Sequence, residues 1–398
     1  MKQLNFKVSG FLFSGISAGI KKDGRKDLGL IYSEVPAQVA GLFTTNAVKA
    51  APVQLDMERI KKGLCQAILV NSGNANACTG SQGLRNAKRV SSWVGKQLGI
   101  DEKLVFPSST GVIGSLLPIK KMEEAIPELI HHLSPEGWRS TVEAMMTTDT
   151  FPKMEVATCR IKGKPVKLCG MVKGAGMIRP HLATMLSFLV TDAHIKAPLL
   201  QKMLERAVET SYNRVTIDGE TSTNDTVLLL ANGKAGHPTL NRMDQDGEVF
   251  QTMLSKVCQG LAESLVKDGE GATKFIEILI QGARNREDAK RAAYAIAHSP
   301  LVKTAFFGED ANWGRILCAL GHSGAQVNPN RIDVFFDQVS IVKNGMGVGS
   351  LLEKKAGQMI KKKSFKVTVD LHQGKSQFSV LTTDLSLDYV KINASYRS

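Results

Sequence analysis

Aromatic residues are scarce in this chain, 6% of 398 residues, and cysteine is scarcer, six in all. The cysteines (Cys65, Cys78, Cys159, Cys169, Cys258 and Cys318) form no CxxC pair, and no histidine stands at metal-ligand spacing from them. That pattern excludes a zinc ribbon and a disulfide scaffold, and predicts reduced, mostly buried thiols and no metal site. No apolar run approaches the roughly 20 residues a membrane helix needs; the best, Leu182–Val190, contains Thr184 and Ser187. The first residues faintly imitate a signal peptide, but Gly10, Ser14, Gly15 and Gly19 break the apolar stretch and no small-x-small cleavage site follows. A cytoplasmic location is expected. Phosphate-loop (GxxxxGKS/T) and zinc-protease (HExxH) patterns are missing, and the eight histidines do not cluster.

What is present is an ordinary globular composition with an excess of positive charge. Hydrophobic residues make up 43% and charged residues 22%, which excludes wholesale disorder. The 51 Lys and Arg against 37 Asp and Glu give a formal net charge of +14. The basic clusters Lys21–Lys26 and Lys361–Lys363 are short and lack interleaved aromatics. They read as solvated surface, or as steering for an acidic small molecule, in preference to a nucleic-acid face.

Strands and helices alternate throughout, with no linker and no strict βαβ order. Gln66–Val70 reads as a short buried strand running into the turn-rich Asn71-Ser72-Gly73-Asn74. Ala87, Val90, Val94 and Leu98 recur at helical spacing before Gly99. Another helix starts near Pro118, with Pro127 expected to kink it, and Pro198 suits the first turn of a third. Phe250, Met253, Val257, Leu261 and Leu265 mark a longer helix, followed by a strand at Phe275–Ile280. Phe365, Val367, Val369 and Leu371 alternate with polar residues. A turn at His372–Lys375 then leads to Phe378, Val380 and Thr382, which predicts a hairpin. The fold class is layered α+β or α/β with mixed sheets.

Two stretches could carry chemistry. In Lys173–Ala193, Gly174 and Gly176 permit close approach of the backbone, Pro180 bars a helix, and small Ala183 precedes Thr184 at the head of a strand. A Thr in that place is ordinarily structural. The Ser/Thr/Gly-rich loop Ser108–Gly114 follows a short strand and can aim hydroxyls and N–H groups at one point, as an oxyanion requires, or can be only a loop. Thr147–Thr150 and Asn224–Thr226 read as capping or turn chemistry.

These stretches belong to a longer series of distinctive blocks. In order they are AGLFTTNAVKAAPV (Ala40–Val53), NSGNANACTG (Asn71–Gly80), SSTGVIG (Ser108–Gly114), MTTDTFPK (Met146–Lys153), KGAGMIRPHLATMLSFLVTDA (Lys173–Ala193) and DGETSTNDTVLLLANG (Asp218–Gly233). VKDGEGATKF (Val266–Phe275), SPLVKTAFFGEDANWGRI (Ser299–Ile316) and INASYRS (Ile392–Ser398) complete the series. Across nearly its whole length the chain resembles the ornithine acetyltransferase (glutamate N-acetyltransferase) family of arginine biosynthesis.

The resemblance implies a layered αββα sandwich of the N-terminal-nucleophile kind with a smaller C-terminal lobe, roughly 285–398. It implies self-cleavage between Ala183 and Thr184, giving an α chain of 1–183 and a β chain of 184–398. Thr184 is then the nucleophile, taking acetyl from N-acetylornithine and passing it to glutamate. Thr110 and Gly111 are the implied oxyanion hole, and Thr147, Lys173, Thr184, Glu270, Asn393 and Ser398 the implied substrate contacts. No cofactor is implied, although some family members accept acetyl-CoA as donor. The implied assembly is two α and two β chains, with no nucleic-acid or membrane partner. His181, Leu182, Glu220 and Arg179 depart from the commonest family pattern, and His181 and Arg179 bear on the rate of self-cleavage. An amidohydrolase or aminopeptidase with the same kind of nucleophile is the alternative; a basic nucleic-acid-binding protein is the non-enzyme one.

Overall fold

A computed structural model describes residues 5–179 and 185–395. The chain forms two compact units, one of residues 5–213 with Glu220–Leu265, the other of Arg214–Gly219 with 266–395.

The first unit contains strands β1 (Phe11–Ile16), β2 (Leu28–Phe43), β3 (Leu64–Asn71), β4 (Val105–Ser109), β5 (Lys153–Ile161), β6 (Lys164–Lys173), β7 (Leu186–Thr191) and β8 (Thr226–Ala231). Its helices are α1 (Ala51–Arg59), α2 (Gly80–Leu98), α3 (Ile119–His131), α4 (Trp138–Met145), α5 (Ala197–Glu209) and α6 (Gln245–Lys267). The strand order is β4-β3-β2-β8-β7-β6-β5, with β1 also on β2. The long β2 belongs to both halves: residues 28–32 pair with β3, residues 38–43 pair with β8, and the register shifts between Tyr32 and Ala37.

The two halves of this sheet share one core. Phe13, Ile31, Ile68, Val70 and Phe106 from one half pack with Met171, Leu186, Phe188, Val190 and Leu228 from the other. Side chains alternate across a strand, so Ala67 and Leu69 of β3 face the opposite way. They meet Val90 and Val94 of α2 and Met122 and Ile126 of α3. On the far side α6 lies so close to β6 that a Cβ on Gly170 would stand 2.8 Å from Leu261 and 2.9 Å from Val257. The layers are helix, sheet, sheet, helix, as expected from the resemblance. The expected helix at Pro118 runs through Pro127, and α2 closes on Gly99 in the left-handed conformation.

The second unit contains β9 (Phe275–Ala283), β10 (Asp333–Phe336), β11 (Val339–Lys343), β12 (Met346–Gly347), β13 (Ser364–Asp370) and β14 (Ser376–Thr383). Its helices are α7 (Arg286–His298), α8 (Pro300–Phe307), α9 (Trp313–Gly321), α10 (Ser350–Ile360) and α11 (Leu387–Ser395). The order is β12-β11-β10-β13-β9-β14, which corrects the hairpin expected at 365–382. Both strands form, but β9 lies between them, parallel to β13 and antiparallel to β14. The connection crosses the end of β9, where Leu371 N donates to Gln281 O and Gln373 N to Gly282 O. A strand with Ile276, Ile278 and Ile280 on its buried face gains more in the middle of a sheet than two short strands gain from each other.

The six thiols are free: Cys65, Cys169 and Cys258 are buried, Cys159 is half-buried, and Cys78 and Cys318 are exposed. Burial is thus less complete than composition suggested. Among the described residues no group of His, Cys, Asp and Glu could hold a metal ion, and no helix is long and apolar enough to cross a membrane.

Phe188 is fully buried in the shared core of the first unit. We expect Phe188→Ala to destabilise the protein by about 3–5 kcal/mol, read as a lower denaturant midpoint with an unchanged slope.

Candidate active site

In the first unit the register aligns Phe43, Thr226, Leu186 and Lys173 in one row across β2, β8, β7 and β6. Just before this row, Met185 is held at both ends of its peptide units. Its N–H donates to Asp225 Oδ1 at 2.9 Å, and its carbonyl accepts from Thr226 N at 3.1 Å. Asp225 is 1% exposed. Burial pushes its carboxyl well above the usual range, against the opposing pull of the Met185 N–H and the Lys173 charge.

Asn224 joins three other segments. Its Nδ2 donates to Ala75 O at 2.7 Å and to Ser109 O at 2.8 Å, and its Oδ1 accepts from Thr223 Oγ1 at 2.5 Å. These bonds fix the end of β4, where the Ser/Thr/Gly loop begins. Thr110 N donates to Asn71 O at 3.0 Å, and Ser109 Oγ donates to Asn71 Oδ1 at 2.7 Å. Gly111 has φ +130°, and a Cβ there would stand 2.5 Å from Gly73 C and 2.6 Å from Asn74 N. Only glycine fits, and the loop lies backbone against backbone on Gly73-Asn74.

A buried ion pair underlies the second cluster. Lys153 Nζ lies 2.6 Å from Asp149 Oδ1, with both side chains fully buried. The same oxygen accepts from Gly174 N at 2.7 Å, and Oδ2 accepts from Thr147 N at 2.9 Å. Burial would raise the Asp149 pKa, but the charges of Lys153 and Lys173 and these hydrogen bonds outweigh it and hold the group down to about 2. Asp149 thus places Thr147 and Gly174 together, and Lys173 Nζ donates to Thr147 Oγ1 at 3.3 Å. An ammonium beside a hydroxyl suits a substrate carboxylate.

In the second unit Asn393 Nδ2 donates to Glu270 Oε2 at 2.9 Å. Glu270 sits in a loop tied at several points. Asp384 accepts from Thr273 N, Thr273 Oγ1 and Lys274 N, and Ser386 Oγ donates to Gly271 O at 2.6 Å. Gly271 has φ +64°, and a Cβ on it would meet Tyr389 N at 2.4 Å. Beneath this loop Lys303 is buried, bonded to Thr382 Oγ1 at 3.2 Å and to the Thr383 carbonyl. Burial lowers its pKa to about 8. A carboxylate and an amide oxygen side by side suit a substrate ammonium.

A family model of ArgJ matches residues 12–398. The arginine biosynthesis bifunctional protein ArgJ of Geobacter sulfurreducens is 51% identical over 391 residues, covering 98% of this chain and 100% of that one. This chain belongs to the ArgJ family. The protein of the same name from Syntrophotalea carbinolica is 50% identical over 392 residues, with 98% and 100% covered. A crystal structure of ArgJ from Bacillus halodurans is 40% identical and covers 52% of this chain and 96% of its own, with a TM-score of 0.49.

Of the residues expected to act in an ArgJ protein, Thr147 and Lys173 are brought into contact, as are Glu270 and Asn393, while Thr110 and Gly111 share one rigid loop. Ala183, Thr184 and Ser398 lie outside the described residues. Asn224, Asp225 and Asp149, which read as turn chemistry, are buried anchors. The signal for them was polar residues crowded beside apolar strands. One pattern absent from the expectations above is Gly15-Ile16-Ser17-Ala18-Gly19, which spells the GxSxG of a nucleophile elbow. It leads from β1 toward β2, with no helix, and Ser17 is exposed, so it forms no elbow.

Replacing Asp149 with Asn removes the counter-charge of Lys153, and we expect a loss of about 3–5 kcal/mol in unfolding free energy. The folded pKa lies below the ordinary 3.8. The wild type should therefore keep this contribution above pH ~4 and lose about 2 kcal/mol as pH falls toward 2, a slope missing from Asp149→Asn in acid titrations followed by circular dichroism.

Proposed function

We propose that this chain is a self-processed acetyltransferase of arginine biosynthesis, moving acetyl from N-acetylornithine to glutamate through Thr184. The Thr184 hydroxyl attacks the carbonyl of Ala183, the peptide C–N bond breaks, and an ester to Thr184 forms with a free α-amino group. Water hydrolyses the ester, leaving a carboxylate on Ala183 and restoring the hydroxyl. A free α-amino group has a pKa of about 8, so near neutrality it can take the proton of its own hydroxyl, a base that an internal Thr lacks.

In transfer, the hydroxyl attacks the acetyl carbonyl of N-acetylornithine, and the amine of ornithine leaves with a proton. The amine of glutamate then attacks the acetyl-Thr184 ester and regenerates the hydroxyl. Thr110 and Gly111 stabilise the oxyanion of each tetrahedral intermediate. Lys173 and Thr147 take the substrate carboxylate, Glu270 and Asn393 the side-chain ammonium of ornithine, and Ser398 completes the contacts. Acetyl-CoA enters as an alternative donor, not as a resident cofactor. The mature protein is two α and two β chains in the cytoplasm.

The observation that carries this reading is the double anchor on Met185, which rigidly fixes the residue following Thr184. Family membership and the Lys173–Thr147 pair support the substrate class. Intact mass spectrometry should show two fragments meeting at Ala183/Thr184 in the wild type and one uncut chain in Thr184→Ala, with N-acetylglutamate formation lost in the variant. An active, uncut wild type would refute the mechanism. Acetylornithine hydrolysis that ignores added glutamate would establish the hydrolase alternative instead.

A further inference from the structure

Lys21 belongs to a cluster whose composition reads as solvated surface, yet its ammonium is turned inward. Its Nζ donates to Met146 O at 2.6 Å and to Lys26 O at 2.9 Å, and to no carboxylate among the described residues. Met146 adjoins Thr147, whose hydroxyl accepts from Lys173. The stem of Lys21 lies along Gly73, where a Cβ would stand 3.2 Å from its Cγ, and Gly73 is the residue against which Gly111 packs. Lys21 therefore runs from Gly73, the neighbour of the Gly111 loop, to the carbonyl of Met146, one residue before Thr147.

Cations gather around it. Arg25 Nη1 donates to Thr147 O at 3.2 Å, so two cations cap successive carbonyls beside a third, Lys173. Of the acids facing this cluster, Asp149 is held by Lys153, and Asp23 pairs with Arg25 at 2.7 Å. Asp27 is fully buried and accepts the backbone N–H groups of Ala18 and Lys21. Burial and the neighbouring Arg25, with a lesser push from Lys173, lower the Lys21 pKa to about 8 despite Asp27 and Asp23. An ammonium has three N–H groups, and two of these are directed at carbonyls.

We propose that Lys21 is a substrate-binding residue that, with Lys173, grips the α-carboxylate common to ornithine and glutamate. The assignment rests on the reading of this site as one for α-amino acids. It explains why a loop pinned through Asp27 delivers the Lys21 ammonium to the carbonyl of Met146, the residue before Thr147.

The test compares L-ornithine with 1,4-diaminobutane, which is ornithine without its carboxylate. Calorimetric titration of the full protein should give Lys21→Met about 10- to 100-fold weaker binding of ornithine than wild type, the cost of one charge-assisted hydrogen bond. Binding of the diamine should be unchanged, which also reports that the site is assembled. Lys21→Arg, which keeps the charge, should recover most of the ornithine affinity. Equal losses for both ligands, or undiminished ornithine binding in Lys21→Met, would overturn the assignment of Lys21 alone. A wild-type protein that binds no ornithine would overturn the parent reading, and this one with it.

Discussion

The buried turn Ser222–Thr226 is the joint on which the first unit's site depends. Its polar groups reach four separate parts of the chain: Thr44 after β2, Ala75 after β3, Ser109 at the end of β4, and Met185 before β7. Buried polar groups of this kind are stable only when their partners are in place, so the four segments order together or not at all. One joint consequently sets both the end of β4, where the Ser108–Gly114 loop begins, and Met185, the residue after Thr184. Burial pushes the Asp225 carboxyl above the usual range, and the Met185 N–H that it accepts pulls the other way.

Buried charge in the first unit has more than one setting. Lys153 and Asp149 neutralise each other inside the protein and act as a scaffold. Lys173 is 3% exposed and donates to a hydroxyl, and Lys21 donates to carbonyls. These two ammonium groups are less exposed than the lysines at 361–363, so salt screens them less. In the second unit a carboxylate takes the place of the ammonium: Glu270 accepts from the amide of Asn393.

Much of the fold was legible because it depends on periodicity. The buried strand at Gln66–Val70, the helix ending at Gly99 and the alternation from Leu186 to Val190 all follow from which side chains face a core. Pairing was not legible. The segments at 365–371 and 376–383 look like a hairpin because only their separation is visible in sequence, while the competing partner β9 lies some eighty residues earlier. The site divided in the same way. Thr110, Gly111, Thr147, Lys173, Glu270 and Asn393 came from resemblance, and residue chemistry alone left each of them a bland alternative. Asp225, Asp149 and Lys21 were hidden for a physical reason: a buried anchor and an exposed turn residue have the same composition and differ only in what surrounds them.

The central claim is that acetyl travels on Thr184. The most direct measurement is to mix the mature protein with N-acetylornithine in the absence of glutamate, quench in acid, and locate the label by peptide mass spectrometry. The account predicts one added acetyl group on the peptide that begins at Thr184, discharged when glutamate is supplied. Acetyl found on another residue, or transfer to glutamate with no acetylated intermediate, would contradict it.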